Sequence, residues 1–221
     1  MRRNSAPPPV SAIYSGLFEL EPSRSQRRIA QIVEGALKSY ATVGIENTTY
    51  DTIAKCSKMS RQLVLHYFKS KDDIFDMAVK YVRVNFQRVA VEAMEPVIDP
   101  KARLEAYVRS TFVWMRDFPT HTHLWRLNFY YCGLNGKLRD LNTELVNMGH
   151  ERIAALLQRG IEAGYFPAAP EAAVRRRAKH VQNLLMGSLV AAQTERIEGT
   201  LDDFASRVVE GCLAIAMSTA P

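Results

Sequence analysis

The sequence specifies an all-α protein of about nine helices, a three-helix unit near the N-terminus followed by a larger helical domain. Three observations carry this. Apolar residues recur at three- and four-residue spacing over most of the chain, the period of one helix face. Proline or glycine stands at most junctions between these stretches, where a missing N–H or a left-handed residue costs least. No segment alternates apolar and polar residues as a half-buried strand would.

The elements follow in chain order. Residues 1–22 hold three consecutive prolines, scattered small residues and no sustained period, so a flexible arm is expected. Its Arg2 and Arg3 either reach along a DNA groove or belong to a plain tail. From Ser23, the residues Ile29, Ile32, Val33, Ala36, Leu37 and Tyr40 fall on one helix face, and Gly44 stops that helix. Asn47-Thr48-Thr49 then supplies capping residues for a short helix carrying Ile53 and Ala54, which ends near Lys58. Ser60 caps another short helix with Val64 and Phe68 on one face. Beyond it, helices are expected over Lys71 to Met94, Lys101 to Phe118, His121 to Tyr131, Lys137 to Gly164, Glu171 to about Glu198, and Leu201 to Met217.

Composition limits the class of protein. Apolar residues make up 47% and charged residues 24%, which excludes global disorder. Cys56, Cys132 and Cys212 are odd in number and far apart, which points to a reducing compartment rather than a disulfide framework or zinc ribbon. No apolar signal-peptide core follows Met1-Arg2-Arg3, and no run of about 18 apolar residues occurs, so a cytoplasmic protein without a membrane span is expected. The net charge of +6 is unevenly placed: residues 1–71 hold 11 Lys/Arg against 5 Asp/Glu, while the remainder holds 18 of each. Such a basic region suits a polyanion, whose neutralised phosphates release counterions, or it is an ordinary solvated surface.

Three helices with two very short connections between about Arg24 and Phe68 form the layout of a helix-turn-helix. A helix that reads DNA needs one apolar face to bury and one polar face that matches base edges and phosphates. Val64 and Phe68 occupy the inner face, whereas Arg61, Gln62 and His66 lie at the N-terminal end and outer face. Arginine can grip guanine with two donors and glutamine can pair with adenine. Lys69 and Lys71, at the far end, suit phosphates.

The pattern Thr49…Ile53-Ala54…Ser60-Arg61…Phe68-Lys69-Ser70-Lys71-Asp72-Asp73-Ile74-Phe75 resembles the DNA-binding signature of the TetR/AcrR family of one-component transcriptional regulators. The first helix, Arg28-Ile29-Ala30…Ala36-Leu37…Tyr40-Ala41…Gly44, resembles that family's opening too. Three positions depart from it: Lys58 stands where the tight turn usually has glycine, Leu65 where an aromatic is usual, and Tyr67 where histidine is common, with His66 before it. The resemblance implies that Thr49 caps the second helix and that Tyr50 faces phosphates. It also implies that Arg61, Gln62, Leu65 and His66 face the major groove, and that Tyr67 and Lys71 clamp the DNA backbone. The expected domains are then an arm at 1–22, the helix-turn-helix domain at 23–71, and a helical ligand-sensing and dimerisation domain at 72–221.

Within 107–131 lie 8 of the chain's 20 aromatic residues, including both tryptophans. They either line an apolar ligand pocket or form plain core. The resemblance implies that this middle region surrounds a ligand, with Trp114, Phe118, His121, Trp125, Asn128, Phe129 and Asn183 as the candidates. His121 and His123 are two apart and diverge on a helix, so no metal site is expected. No nucleophile–base pattern, Walker loop or dinucleotide fingerprint appears, so neither catalytic residues nor a cofactor are expected. The stripes Val174, Ala178, Val181, Leu185, Ser188-Leu189 and Phe204, Val208, Val209, Leu213, Met217 either form a dimer interface or bury within the monomer. The resemblance implies a two-fold interface of the last two helices, suited to a near-palindromic operator in double-stranded DNA. The expected function is that of a sequence-specific repressor, released by a small apolar or aromatic effector. An architectural DNA-binding protein without a ligand and a helical carrier or enzyme are the other readings.

Overall fold

The computed structural model describes residues 23–219; the N-terminal arm, with Arg2 and Arg3, lies outside the described residues. Among these, nine helices and no strand occur: α1 (Arg24–Val43), α2 (Tyr50–Ser57), α3 (Arg61–Tyr67), α4 (Lys71–Met94), α5 (Pro100–Asp117), α6 (Pro119–Leu134), α7 (Gly136–Glu162), α8 (Glu171–Thr194) and α9 (Leu201–Met217). None is long and apolar enough to cross a membrane.

Two helices differ in extent from the sequence expectation, each for a local reason. Helix α6 begins at Pro119, because a proline that ends α5 is equally suited to the first position of the next helix. Phe118 thus closes α5, its N–H donating to the Trp114 carbonyl at 2.9 Å, and stands just before α6. At the other end α6 runs through Gly133 until Asn135, whose side chain caps α7. Helix α8 stops at Thr194, short of Glu198, where the chain turns into the Thr200–Asp203 capping box of α9.

The described residues pack as two compact units. One comprises the residues up to Asn85 together with Thr120–Phe129; the other comprises Phe86–Pro119 and the chain from Tyr130 onward. Helices α4 and α6 each contribute residues to both. The motif that suggests a boundary after Lys71 is local, whereas packing continues into α4. Ile74, Phe75, Met77 and Ala78 are buried, and the Phe75 ring meets Tyr40 edge-on at 6.0 Å.

In the first unit, α1 starts on a capping box between Ser23 and Gln26 and buries Ile29, Ile32, Val33, Ala36, Leu37 and Tyr40, the face its spacing marks out. Gly35 sits on that face because α2 comes too close for a side chain: a Cβ there would lie 2.6 Å from the Ser57 Cβ and 2.7 Å from its backbone nitrogen. The Gln31 amide donates to the Ser57 carbonyl at 2.8 Å, and the Ser39 hydroxyl meets those of Thr48 and Thr52 at 3.0 and 2.8 Å. Thus α1 fixes both ends of α2.

The second unit is built on Leu104, Tyr107, Val108 and Phe112 of α5, with partners from α7, α8 and α9. Arg109 ties α5 to α9 through Asp202 and Ser206, at 3.2 and 3.1 Å. Trp114, 1% exposed, receives the Phe86 ring edge-on at 5.3 Å. Burial pushes the Cys212 thiol up to about 12, which leaves it inert at neutral pH.

The two stripes read from the sequence on the last helices divide differently from the expected interface. Val174, Ala178, Val181, Leu185, Ser188 and Leu189 on α8 are all buried in their own unit, as are Val208 and Val209 on α9. Periodicity marks an apolar face without saying which neighbour covers it, and here α8 and α9 pack against each other and against α5. The faces left exposed carry Asn183, Gly187 and Val190 on α8, and Glu210, Ala214 and Met217 on α9.

Candidate nucleic-acid interface

Helix α2 begins at an N-cap, Thr49, whose hydroxyl accepts the Thr52 N–H at 3.2 Å while Thr52 returns a bond to the Thr49 N–H at 2.9 Å. It ends at Lys58, with φ 55° and ψ 42°, the only non-glycine residue with positive φ among the described residues. The left-handed cap lets the Met59 N–H reach the Ala54 carbonyl at 2.9 Å and reverses the chain toward α3. A lysine holds this geometry at a cost that glycine would not bear. Lys58→Gly is therefore expected to stabilise the protein by about 0.5–1 kcal/mol, measured as a higher midpoint in denaturant unfolding.

Ser60 caps α3, accepting the Leu63 N–H at 3.2 Å. Val64 and Phe68 anchor the helix as buried residues. That orientation leaves Arg61, Gln62 and His66 exposed, with Leu65 and Tyr67 half-buried beside them. His66 and Tyr67 meet edge-on at 5.2 Å. The Arg61 Nε lies 3.5 Å from the Asp51 carboxylate on α2, so this arginine is steered from the neighbouring helix. Both groups are largely exposed, and such a pair directs a side chain more than it stabilises a fold.

Tyr50 opens α2. Burial, then the Asp73 charge and more weakly that of Asp72, push its phenol above the ordinary value against an opposing effect of Arg61. It remains an O–H donor at neutral pH, which suits a phosphate oxygen. Lys71 donates from Nζ to the Thr48 carbonyl at 3.1 Å, and Lys69 to the Leu65 carbonyl at 3.1 Å. An ammonium has three donors, so each retains donors for an anion while its position is fixed by the protein. Thr49, Tyr50, Arg61, Gln62, Leu65, His66, Tyr67 and Lys71 therefore all belong to the first unit, on α2, α3 and the residues bounding them. Asp51 and Ser60 complete the arrangement. Ser60 is legible as a capping residue, but only the fold brings Asp51 to Arg61.

The candidate ligand residues are distributed more widely. His121, Trp125, Asn128 and Phe129 lie in the α6 portion of the first unit, where Trp125 and Phe129 pair edge-on at 4.7 Å. Trp114 and Phe118 belong to the second unit. Asn183 is exposed on α8, and its neighbour Gln182 is the buried amide. Among the described residues, no group of three His, Cys, Asp or Glu side chains is placed to hold a metal ion.

A capped tri-helical unit with a tight turn before an exposed basic helix defines a helix-turn-helix protein. Comparison makes this specific. Residues 32–78 match the model for the bacterial regulatory proteins of the tetR family. The chain is 34% identical over 130 residues to the uncharacterized HTH-type transcriptional regulator YhgD of Bacillus subtilis, covering 59% of this chain and 61% of that one. It is 30% identical over 91 residues to the HTH-type transcriptional regulator BetI of Burkholderia lata, covering 38% and 44%. It thus spans less than two thirds of the length of these relatives. A TetR transcription regulator from Haloarcula marismortui has the same fold, with a TM-score of 0.72 at 16% identity over 86% of this chain and 96% of that one. A transcriptional regulator from Saccharomonospora viridis in complex with choline gives 0.71 at 22% identity over 85% and 95%. Over residues 32–78 the chain is thus similar to the tetR-family regulatory proteins, and over most of its length it shares the fold of the solved TetR regulators.

Proposed function

We propose that the protein is a sequence-specific DNA-binding transcriptional regulator, a homodimeric repressor released by a small apolar or aromatic ligand. The observation that carries the DNA-binding reading is the outward face of α3. Arg61, Gln62 and His66 stand exposed on a helix anchored by Val64 and Phe68, with Tyr50, Tyr67 and Lys71 at its margins. Base-reading groups on the helix and phosphate-binding groups around it are the division of labour that a groove requires.

Dimerisation falls to the exposed faces of α8 and α9. Gly187 and Ala214 allow close helix approach there, Val190 and Met217 supply exposed apolar surface, and Asn183 belongs with this face rather than with a pocket. A two-fold dimer matches a near-palindromic operator whose half-sites are about one DNA turn apart, or a multiple of it. Choline in the Saccharomonospora viridis neighbour supports a small-molecule effector, and the aromatic residues of α5 and α6 supply surface for one. The effector acts through its different affinity for the DNA-binding and released states.

Operator selection from a random DNA pool, with and without cell metabolite extract, tests this. A palindrome that is lost with extract is expected, and featureless binding overturns the reading. On the selected operator, Arg61→Ala is expected to cost about 1–3 kcal/mol and to relax preference at one base position. Lys71→Ala should instead weaken all sequences alike and flatten the salt dependence. Competition titrations at two salt concentrations separate the two outcomes.

A further inference from the structure

A part-buried junction in the first unit joins three helices. Glu34 lies on α1, and its Oε1 accepts the Tyr81 hydroxyl of α4 at 2.9 Å. The same oxygen lies 3.4 Å from Nε2 of His121 on α6, a residue 3% exposed. The Tyr81 and His121 rings stack at 5.8 Å with a tilt of 34°. Burial pushes the Glu34 carboxyl upward. His121, by hydrogen bond and by charge, the Tyr81 hydroxyl and the Lys38 charge together outweigh it and hold the group below the ordinary carboxylate value.

Three helices thus meet at one oxygen, and the identity of those helices matters. Helices α4 and α6 both continue into residues of the other unit, whereas α1 belongs wholly to the first. On α1 the turn around Glu34 also contacts the end of α2. Gln31 bonds the last residue of α2, and Gly35 lies against that same residue. Ser57 is followed by the Lys58 turn and by α3. The His121 contact, at 3.4 Å, is longer than an ordinary N–H···O bond, whereas the Tyr81 contact, at 2.9 Å, is not.

We propose that Glu34 is a positioning residue for the DNA-reading helices, linking α6 through His121 to the α1 turn that sets α2 and α3. This rests on the DNA-binding reading above. A satisfied polar contact of purely structural role would change the thermal midpoint and leave operator affinity untouched in folded protein.

The test uses the full chain and the operator recovered by selection, with affinity read by fluorescence anisotropy well below the thermal midpoint of each variant. Glu34→Gln keeps the side-chain size and an acceptor for Tyr81 but removes the charge. It is expected to weaken operator binding about three- to tenfold. His121→Gln is expected to act in the same direction, and the double variant to lose less than the product of the two, because both break one contact. If Glu34→Gln fails to fold, His121→Gln alone carries the expectation. Folded variants that bind the operator like wild type overturn the inference and leave the DNA-binding reading standing. Wild-type protein that selects no operator overturns both.

Discussion

Replacing Gly35 with alanine is expected to destabilise the protein by about 3 kcal/mol and to abolish detectable operator binding. The added methyl would meet the Cβ, backbone nitrogen and Cα of Ser57 at 2.6, 2.7 and 2.9 Å. None of these is the flexible end of a side chain, so relief requires α2 to move as a body. Reaching ordinary van der Waals contact, at about 3.5–4.0 Å, takes a shift on the order of 1 Å. Ser57 resists such a shift, because its carbonyl accepts from Gln31 at 2.8 Å and its hydroxyl donates to Ala54 at 3.2 Å. If α2 moves regardless, the Lys58 turn carries α3 with it, and base-edge hydrogen bonds tolerate only tenths of an ångström. Binding should therefore fall further than stability does. Guanidinium unfolding and operator anisotropy read the two effects separately. Gly133→Ala is the control, since a Cβ there meets nothing within 4 Å. A Gly35→Ala protein as stable as the control would show that α1 and α2 are not in this close contact.

Gly35 also shows how far the sequence can be read. A glycine inside a strong helical pattern signals that something approaches closely, but not what does. The buried face of α1 is legible because Ile29, Ile32, Val33, Ala36, Leu37 and Tyr40 repeat at the helix period. The caps Thr49 and Ser60 are legible because a hydroxyl before a short apolar run satisfies free N–H groups. The resemblance of residues 49–75 to a family signature rests on these same local features.

What stays hidden is contact between residues distant in the chain. Nothing local marks Glu34 as the acceptor for Tyr81 and His121, or Asp51 as the partner of Arg61. The sequence suggests His121 as a ligand candidate because it lies among aromatics, and nothing local in it shows that the fold also brings this residue within 3.4 Å of Glu34 on α1. On α8, Gln182 and Asn183 are adjacent amides, and helix phase alone decides that the first is buried and the second exposed. Apolar stripes on α8 and α9 are visible in the sequence, but a stripe covered by its own unit and one reserved for a partner have the same period. Composition does not separate them.

The same ambiguity surrounds the aromatic cluster, and truncating Trp114 to alanine resolves it. The expected loss is about 4 kcal/mol of folding stability, among the largest for any single side chain here. Trp114 is 1% exposed, and Phe86, which meets it edge-on at 5.3 Å, also packs against Tyr107 at 6.4 Å. Removing the indole takes away that contact and leaves a cavity which the neighbouring helices fill only in part. The bond from the Phe118 N–H to the residue 114 carbonyl is unaffected, so the end of α5 should persist and the loss should report packing. A residue lining a pre-existing ligand space would behave otherwise, because truncation there enlarges a space already present and costs about 1 kcal/mol or less. Urea unfolding of Trp114→Ala distinguishes the two. Trp114→Phe, which retains most of the volume, is expected to lose less than half as much. A loss near 4 kcal/mol makes Trp114 core and leaves the ligand-facing role to half-buried aromatics such as Trp125 and Phe129. A loss below about 1 kcal/mol returns Trp114 to the wall of an effector pocket, and the effector search should then begin there.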